Sequence, residues 1–387
     1  MAAPETHALL SASSAERWLN CPGSVQLTKD MPDTVSTYAE EGRLAHAVAE
    51  LKLRKKFIEK IGPKAFAVRM NKLKAAPLYQ EEMQGYTDQY VEYITCLANS
   101  FPTRPWVAAE HRVDYSAFAP EGFGTADCIL LCGAKLCVID FKYGKGVEVR
   151  ADHNPQMMLY ALGAVLEYRA VYDIDTVHMA IVQPRAGGIS EYEVSREELM
   201  DWAAFTLRPA AEKAFAGAGE YRAGDWCRFC RAKAVCRKHA DSVVAVLEDF
   251  AGDLPALLSN EEVAEILKRV KPLQVYVDAV KEYAEHTLLS GGVIPGWKMV
   301  EGRAVRVFDD QAAAFADLVK GGVEDTLLWH REPYTLAQIE KQLGKKVFSE
   351  IVGAHVVRQP GKPTLAQESD PREPYSAGSV AADFGEG

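Results

Sequence analysis

Three neighbouring stretches decide the fold: WVAAEHRVDY at 106–115, GTADCILLC at 124–132 and KLCVIDFKYG at 135–144. Each is rich in β-forming residues and alternates with a period of two, which is typical of a β-strand. Gly133 and Ala134 leave room only for a tight turn between the second and third stretches. Together the stretches predict an antiparallel meander.

Helical patterns flank the meander on both sides. Apolar stripes at helical spacing cover 37–56 and 80–99, and a third helical pattern begins at about residue 154. A strand-like stretch, DTVHMAIVQPR at 175–185, comes next, followed by a helix that Ser195 would cap. This order predicts an α/β fold whose core is a mixed sheet flanked by helices.

Charge is unevenly distributed along the chain. A formal net charge of -10 over 387 residues argues against a protein that coats nucleic acid without specificity, because neutralising phosphates requires clustered Lys and Arg. Within residues 51–74, however, nine Lys and Arg residues accompany a single acid, Glu59. This basic stretch has two interpretations that the sequence leaves open: a solvated helix face, or a surface that follows a phosphate backbone.

The sequence offers no signal for export or membrane insertion. Its first residues lack the basic patch and apolar stretch of a secretory signal, and no apolar run is long enough to cross a membrane. We therefore expect a cytoplasmic protein without a membrane partner.

The third stretch places an acid beside a lysine. Asp140 and Lys142 are two residues apart on one strand, so both project from one face while Phe141 projects from the other. Asp127, on the adjacent strand across the turn, is within reach of the same point. Two carboxylates on neighbouring strands suit Mg²⁺ or Mn²⁺, which prefer oxygen ligands. The alternative is an ordinary cross-strand ion pair without a metal.

Further polar residues occupy positions from which they could join this group. Gln156 and Tyr160 are four residues apart and share one helix face, from which both could hydrogen-bond a phosphate or the neighbouring lysine. His46 follows Gly42 by one helical turn, where a glycine would allow close approach to another backbone and a neutral imidazole could bind a metal. Glu110 lies on the first strand, on the same face as the residues two positions before and after it.

The order of these elements along the chain is specific: GRLAH, AEHRV, GTAD, IDFK and QMMLY. It resembles the PD-(D/E)XK superfamily, in particular the RecB-like nucleases, which include the CRISPR-associated exonucleases and the AddB type. Their elements are Gly-x-x-x-His, Gly-x-x-Asp, Asp-x-Lys and Gln-x-x-x-Tyr. The resemblance covers approximately residues 11–239 and departs from the pattern at Ala126, where a proline is common.

The resemblance implies a role for each of these residues in a metal-dependent deoxyribonuclease that uses Mg²⁺ or Mn²⁺. The implied metal ligands are the side chains of His46, Asp127 and Asp140 and the carbonyl of Phe141. The implied catalytic residues are Asp127, Asp140, Lys142, Glu110, Gln156 and Tyr160. Glu110 matches the family pattern less firmly than the others.

A cysteine motif follows the core. In DWCRFCRAKAVCRK at 225–238, Cys227, Cys230 and Cys236 have the spacing Cys-x2-Cys-x5-Cys, compact enough to surround one metal centre. Iron–sulfur members of the RecB-like group resemble this layout, with one cysteine before the core and three behind it. The resemblance therefore implies a 4Fe-4S cluster held by these three and Cys21. A zinc site completed by His239 is the alternative.

The implied activity is that of a DNA exonuclease acting on single strands or duplex ends. The phrases RWLNCPGS, YAEEGRLAH and GKPTLAQESD also resemble a phage and prophage family, which implies a role in phage DNA replication or recombination in the host cytoplasm. The expected partners are DNA and a phage single-strand-binding or recombination protein. The alternative is a noncatalytic nucleic-acid-binding or scaffold protein with a structural iron–sulfur or zinc site.

Three regions are expected along the chain. Residues 1–240 would form the RecB-like nuclease domain with its cluster, and 241–358 a mainly helical region. Residues 359–387 are rich in Pro, Gly, Ser and acids, which predicts a disordered tail.

Overall fold

The computed structural model describes residues 8–31, 37–217, 220–248, 259–300, 310–321 and 344–352, with a few single positions between 324 and 356. The chain forms two compact units, residues 1–299 and 300–387. The sheet, the candidate active site and the cysteine motif belong to the first unit. The expected tail at 359–387 lies outside the described residues.

A five-stranded mixed sheet forms the centre of the first unit. Its strands, in both chain and spatial order, are β1 (Trp106–Asp114), β2 (Phe123–Cys132), β3 (Lys135–Phe141), β4 (Thr176–Gln183) and β5 (Gly188–Ser195). β3 and β4 are parallel, and all other neighbours are antiparallel. The predicted meander and the predicted mixed sheet are confirmed.

The edge strand β5 is absent from the sequence prediction. Half of its residues are exposed and only Val194 is buried, so the apolar alternation that marks the other strands is weak here. It pairs with β4 alone. Its placement therefore depends on backbone hydrogen bonds to an already formed neighbour.

Helices precede, follow and separate the strands. They are α1 (Ala15–Asn20), α2 (Ser24–Thr28), α3 (Thr37–Leu53), α4 (Pro63–Lys74), α5 (Glu82–Asn99), α6 (Pro155–Tyr168), α7 (Arg196–Trp202), α8 (Arg208–Ala216), α9 (Arg237–Glu248), α10 (Asn260–Leu289), and, in the second unit, α11 (Gln311–Lys320) and α12 (Lys345–Val352). Within the described parts of the chain, no helix is both long and apolar enough to cross a membrane.

Each face of the sheet carries its own apolar core. On one face, α3 and α5 pack against the sheet, and Phe141 and Ile139 of β3 are buried beneath them. On the other face, α6 is the central helix and contributes an almost continuous buried run, Met157–Val165. The flanking helices predicted from sequence are therefore present on both faces.

The first turn of α6 is fixed by its cap. The side chain of Asn154 accepts hydrogen bonds from the N–H groups of Gln156 and Met157, at 3.0 and 3.2 Å. Pro155 occupies the first helical position, where a missing N–H has no consequence. This cap determines where the side chain of Gln156 leaves the helix.

Candidate active site

Three acidic residues lie in one row across the three strands of the meander. The register of β1 on β2 places Glu110 opposite Asp127. Asp140 lies opposite Asp127 on the other side, one position beyond the last paired residues of β2 and β3, Cys128 and Ile139. Strand pairing thus assembles carboxylates that are up to thirty residues apart in sequence.

At Glu110, the side chains of β1 stop alternating regularly between the two faces of the sheet. This residue has φ 48, in the left-handed region that few non-glycine residues adopt. Ala109 packs in the core under α3 and α5, whereas His111 contacts Glu167 of α6 on the opposite face. The expectation that Glu110 shares its face with the residues two positions away is therefore wrong: Ala108 belongs to the α6 core, while Glu110 approaches α3.

Helix α3 brings His46 to this row. Its Nδ1 lies 3.3 Å from Oδ1 of Asp127 and 4.0 Å from Oε1 of Glu110. The small residue Ala45 beside it is fully buried against the sheet, so the helix lies close to the strands. The close approach expected at Gly42 is wrong, because a Cβ there would meet no atom of the described residues within 4 Å.

The peptide group of Phe141 holds Asp127 in place. Its N–H donates to Oδ2 of Asp127 at 2.7 Å. The pairing of β2 with β3 ends at Cys128, so the N–H of Phe141 has no backbone partner on β2. The carboxylate of Asp127 accepts its hydrogen bond instead. The role of the Phe141 carbonyl as a metal ligand stays a prediction.

A hydrogen-bonded chain leads from Asp140 toward α6. Nζ of Lys142 lies 3.1 Å from Oδ2 of Asp140 and donates to Oε1 of Gln156 at 3.0 Å. Nε2 of Gln156 in turn contacts Oδ1 of Asp140 at 3.4 Å and the hydroxyl oxygen of Tyr160 at 3.0 Å. The four predicted residues Asp140, Lys142, Gln156 and Tyr160 thus form one group.

Burial and mutual repulsion perturb the ionisation of these acids. Burial, followed by the charge of Asp127, raises the pKa of Glu110 to about 8. Burial likewise raises the pKa of Asp140, although Lys142 opposes this shift. For His46, burial alone would lower the pKa, but the carboxylates, Asp127 foremost, raise it to about 9. The site concentrates negative charge that a bound cation would compensate.

The side chains present fit a divalent cation. The donor atoms of His46, Glu110 and Asp127 all lie within 4.8 Å of one another. Among the described residues, Oδ2 of the buried Asp140 accepts no hydrogen bond, although Lys142 is at ion-pair distance. A donor set dominated by carboxylate oxygens favours Mg²⁺ or Mn²⁺. Glu110 joins His46 and Asp127 as a candidate ligand, a role that its sequence position did not indicate.

The four predicted cluster cysteines line one small cavity. Cys21 follows α1, and Cys227, Cys230 and Cys236 come from the segment between α8 and α9. The first three are buried and Cys236 is half-buried. Burial raises the pKa of Cys227, with further contributions from the other three thiols, so the four are electrostatic neighbours. Cysteines more than two hundred residues apart in sequence therefore meet in the fold.

Two residues at the candidate site were not singled out by sequence patterns. The hydroxyl of Tyr90 donates to the carbonyl of Ile139 at 3.3 Å, and its ring packs on Phe141 with centroids 5.0 Å apart. Asn154 orients Gln156 through the cap of α6. An N-cap signal, Asn followed by Pro, precedes the helix and could have identified the second residue.

Fold and site together define an α/β protein whose mixed sheet carries a carboxylate-rich candidate metal centre on its meander. The chain belongs to the family described as protein of unknown function (DUF2800), whose model matches residues 7–373. A solved structure titled "Crystal structure of SSO0001" is 14% identical, with a TM-score of 0.25, and the match covers 58% of this chain and 96% of that chain. No conclusion about fold or function follows from a likeness at that level.

Proposed function

We propose that this chain is a metal-dependent deoxyribonuclease of the RecB-like, PD-(D/E)XK kind, acting as an exonuclease on single-stranded or duplex ends. The observation that carries the proposal is the juxtaposition of Asp127 and Asp140 with the ammonium group of Lys142, at the shared end of β2 and β3. Burying Asp140 and half-burying Lys142 among apolar strands is unfavourable unless each is compensated. A catalytic role accounts for their retention there.

Each part of the site has a function in phosphodiester hydrolysis. Asp127 and Asp140, with His46 and Glu110, would hold Mg²⁺ or Mn²⁺, which supplies charge neutralisation at the scissile phosphate when bound. Lys142 lies where its ammonium group can stabilise charge that develops on the phosphate or orient the attacking water. Gln156 accepts from Lys142 and so fixes the direction of that group. The Tyr160 hydroxyl supports Gln156.

We further propose that Cys21, Cys227, Cys230 and Cys236 hold a 4Fe-4S cluster. The shared cavity supports this assignment. Tetrahedral zinc requires sulfur atoms about 3.8 Å apart, given Zn–S bonds of about 2.3 Å. In the described part of the chain, no three cysteine or histidine donor atoms at this cavity lie within 4.8 Å of one another. A zinc site completed by His239 is the alternative.

The cluster would connect the N-terminal segment to the segment behind the core. It would act in folding and in handling a DNA end rather than in bond cleavage. A role in phage DNA replication or recombination, with a single-strand-binding or recombination protein as partner, completes the proposal and rests on the sequence resemblance.

The activity is tested with end-labelled linear and circular DNA in Mg²⁺ or Mn²⁺. We expect degradation of linear DNA only, and a decrease of at least about a hundredfold in rate for Lys142→Ala. Lys135→Ala is the matched control, because Lys135 lies at the opposite end of β3 and pairs with Glu193 on the surface. Activity that survives Lys142→Ala would show that the site is misplaced. No hydrolysis with any metal, but retained DNA binding, would favour the noncatalytic binding protein.

A further inference from the structure

A second cleft, with a volume of about 490 Å³, adjoins the carboxylate site. It lies where β3 and β4 end, between the first turns of α3 and α5. Tyr143 lines it and directly follows Lys142. The ring of Phe141 is 6.3 Å from that of Tyr143 and 5.4 Å from that of His46. One buried aromatic ring, that of Phe141, therefore separates the cleft from His46 of the carboxylate site.

Three tyrosines line the cleft, and the cation beside them, Arg185, is already paired with acids. Tyr38, Tyr86 and Tyr143 contribute rings, and Tyr38 is 78% exposed. The guanidinium of Arg185 is held by Glu41 and Glu82, at 3.1 Å each, and lies 4.4 Å from the ring of Tyr143. Because Arg185 is paired with two carboxylates, the exposed Lys145 is the lining cation that, among the described residues, has no ion pair and can attract a phosphate group.

Tyr143 supplies an unsatisfied polar group. The residue is 4% exposed, and its hydroxyl makes no hydrogen bond to any residue that the structure describes. A buried hydroxyl without a partner is unfavourable, which points to a polar ligand atom at this position. A flat group with hydrogen-bonding edges would satisfy the hydroxyl and stack on the exposed ring of Tyr38.

One wall of the cleft is already ordered. The buried side chain of Gln183 donates to the carbonyls of Gly144 and Val147, at 2.9 and 2.7 Å, and accepts from the N–H of Val149 at 2.9 Å. These bonds hold the segment after β3 against β4. A ligand would find this wall formed and would lose little conformational entropy in organising it.

We propose that this cleft binds an unpaired nucleobase of single-stranded DNA, next to the nucleotide whose phosphate lies at the carboxylates. The inference rests on the proposed nuclease function and names the substrate form: a strand with an unstacked base. Stacking on tyrosine rings tolerates any base, and the carboxylates of Glu41 and Glu82 can accept from exocyclic amino groups. Duplex DNA would need its end opened first.

The test measures binding of a labelled deoxyadenosine decamer by fluorescence anisotropy, with the full-length protein in EDTA so that no cleavage occurs. An abasic decamer with the same phosphates is the comparison. We expect the abasic strand to bind roughly tenfold more weakly to the wild-type protein, and this difference to shrink in Tyr38→Ala and Tyr143→Phe. Phe205→Ala, which removes a ring that is 79% exposed outside the cleft, should keep the full difference.

The outcomes separate the two proposals. Equal binding of the normal and abasic decamers, with nuclease activity intact, would overturn the base-binding cleft and leave the nuclease in place. A base-dependent difference unchanged in both tyrosine variants would also overturn it, because the bases would then bind elsewhere. Failure to bind either decamer, together with no hydrolysis, would overturn the proposed function and this inference with it.

Discussion

Gly124 and Tyr160 are in such close contact that no side chain fits between them. A Cβ at Gly124 would lie 2.6 Å from Cε1 of Tyr160, well inside van der Waals contact. These residues belong to the Gly-x-x-Asp and Gln-x-x-x-Tyr elements, which are distant in sequence. The glycine at this position thus allows β2 and α6 to approach closely enough for Gln156 to reach Lys142.

Gly124→Ala should therefore disturb catalysis through Tyr160. Displacing this ring breaks its contact with Gln156, so we expect a lower turnover number in nuclease kinetics. The affinity for Mn²⁺, measured by calorimetric titration, should be largely kept. Gly42→Ala is the matched control, since a Cβ there meets nothing within 4 Å. It should keep activity and increase stability by about 0.5–1 kcal/mol. Equal activities in Gly124→Ala and Gly42→Ala would contradict the proposed effect of Gly124 on turnover through Tyr160.

Asn154→Ala should lower both stability and activity. Without the N-cap, the first turn of α6 lacks two hydrogen bonds, for an expected decrease of about 1 kcal/mol in the free energy of unfolding. Ser195→Ala removes the cap of α7, which is part of a capping box away from the site. Urea denaturation should give similar decreases for both variants, whereas only Asn154→Ala should reduce nuclease turnover. Normal turnover in Asn154→Ala would show that Gln156 is positioned without the cap.

The proposed 4Fe-4S cluster predicts a coloured protein. Anaerobically purified protein should contain iron and sulfide and absorb visible light, and Cys230→Ser should lose the colour together with much of its thermal stability. Cys96→Ser, at an exposed position on α5, should match the wild type. A colourless wild-type protein that contains zinc would replace the cluster with the zinc alternative.

His178 should make the fold sensitive to mild acid. Burial lowers its pKa below the usual 6.5, only partly offset by Glu191 and Glu193, while Lys135 adds to the shift. The unfolded chain therefore binds more protons than the folded one, so stability should fall as the pH drops below about 6.5. In His178→Gln, whose amide can replace the imidazole as the partner of Tyr93, urea denaturation from pH 8 to 5 should give a flatter profile. An unchanged slope would show that His178 does not cause the acid sensitivity.

The basic stretch at 51–74 divides into paired and unpaired cations. Arg54, Arg69, Lys52 and Lys74 bind acids, whereas in the described structure the other five, all exposed, have no ion pair. Three of these five are Lys60, Lys64 and Lys72. Changing these three lysines to Gln should weaken DNA binding, and the slope of log affinity against log salt should decrease by about 0.9 for each phosphate that is no longer neutralised. An unchanged slope would favour the solvated helix face. Lys281→Gln on α10 serves as the control.

The sequence alone determined the local elements and much of the candidate site. Period-two alternation identifies β1 to β3, and the two-residue spacing of Asp140 and Lys142 places both on one face, because these properties depend only on strand geometry. The four-residue spacing of Gln156 and Tyr160 does the same on α6. Such features are local, so no knowledge of packing is required.

Tertiary structure alone decided which groups meet. The left-handed backbone at Glu110 overrides the strand alternation and turns this side chain toward His46, and no sequence period signals that change. The edge strand β5 and the cleft around Tyr143 likewise depend on how β4, α3 and α5 pack. Local patterns are set by neighbours in the chain, whereas distances between strands and helices are set by core packing, and only the folded structure contains them.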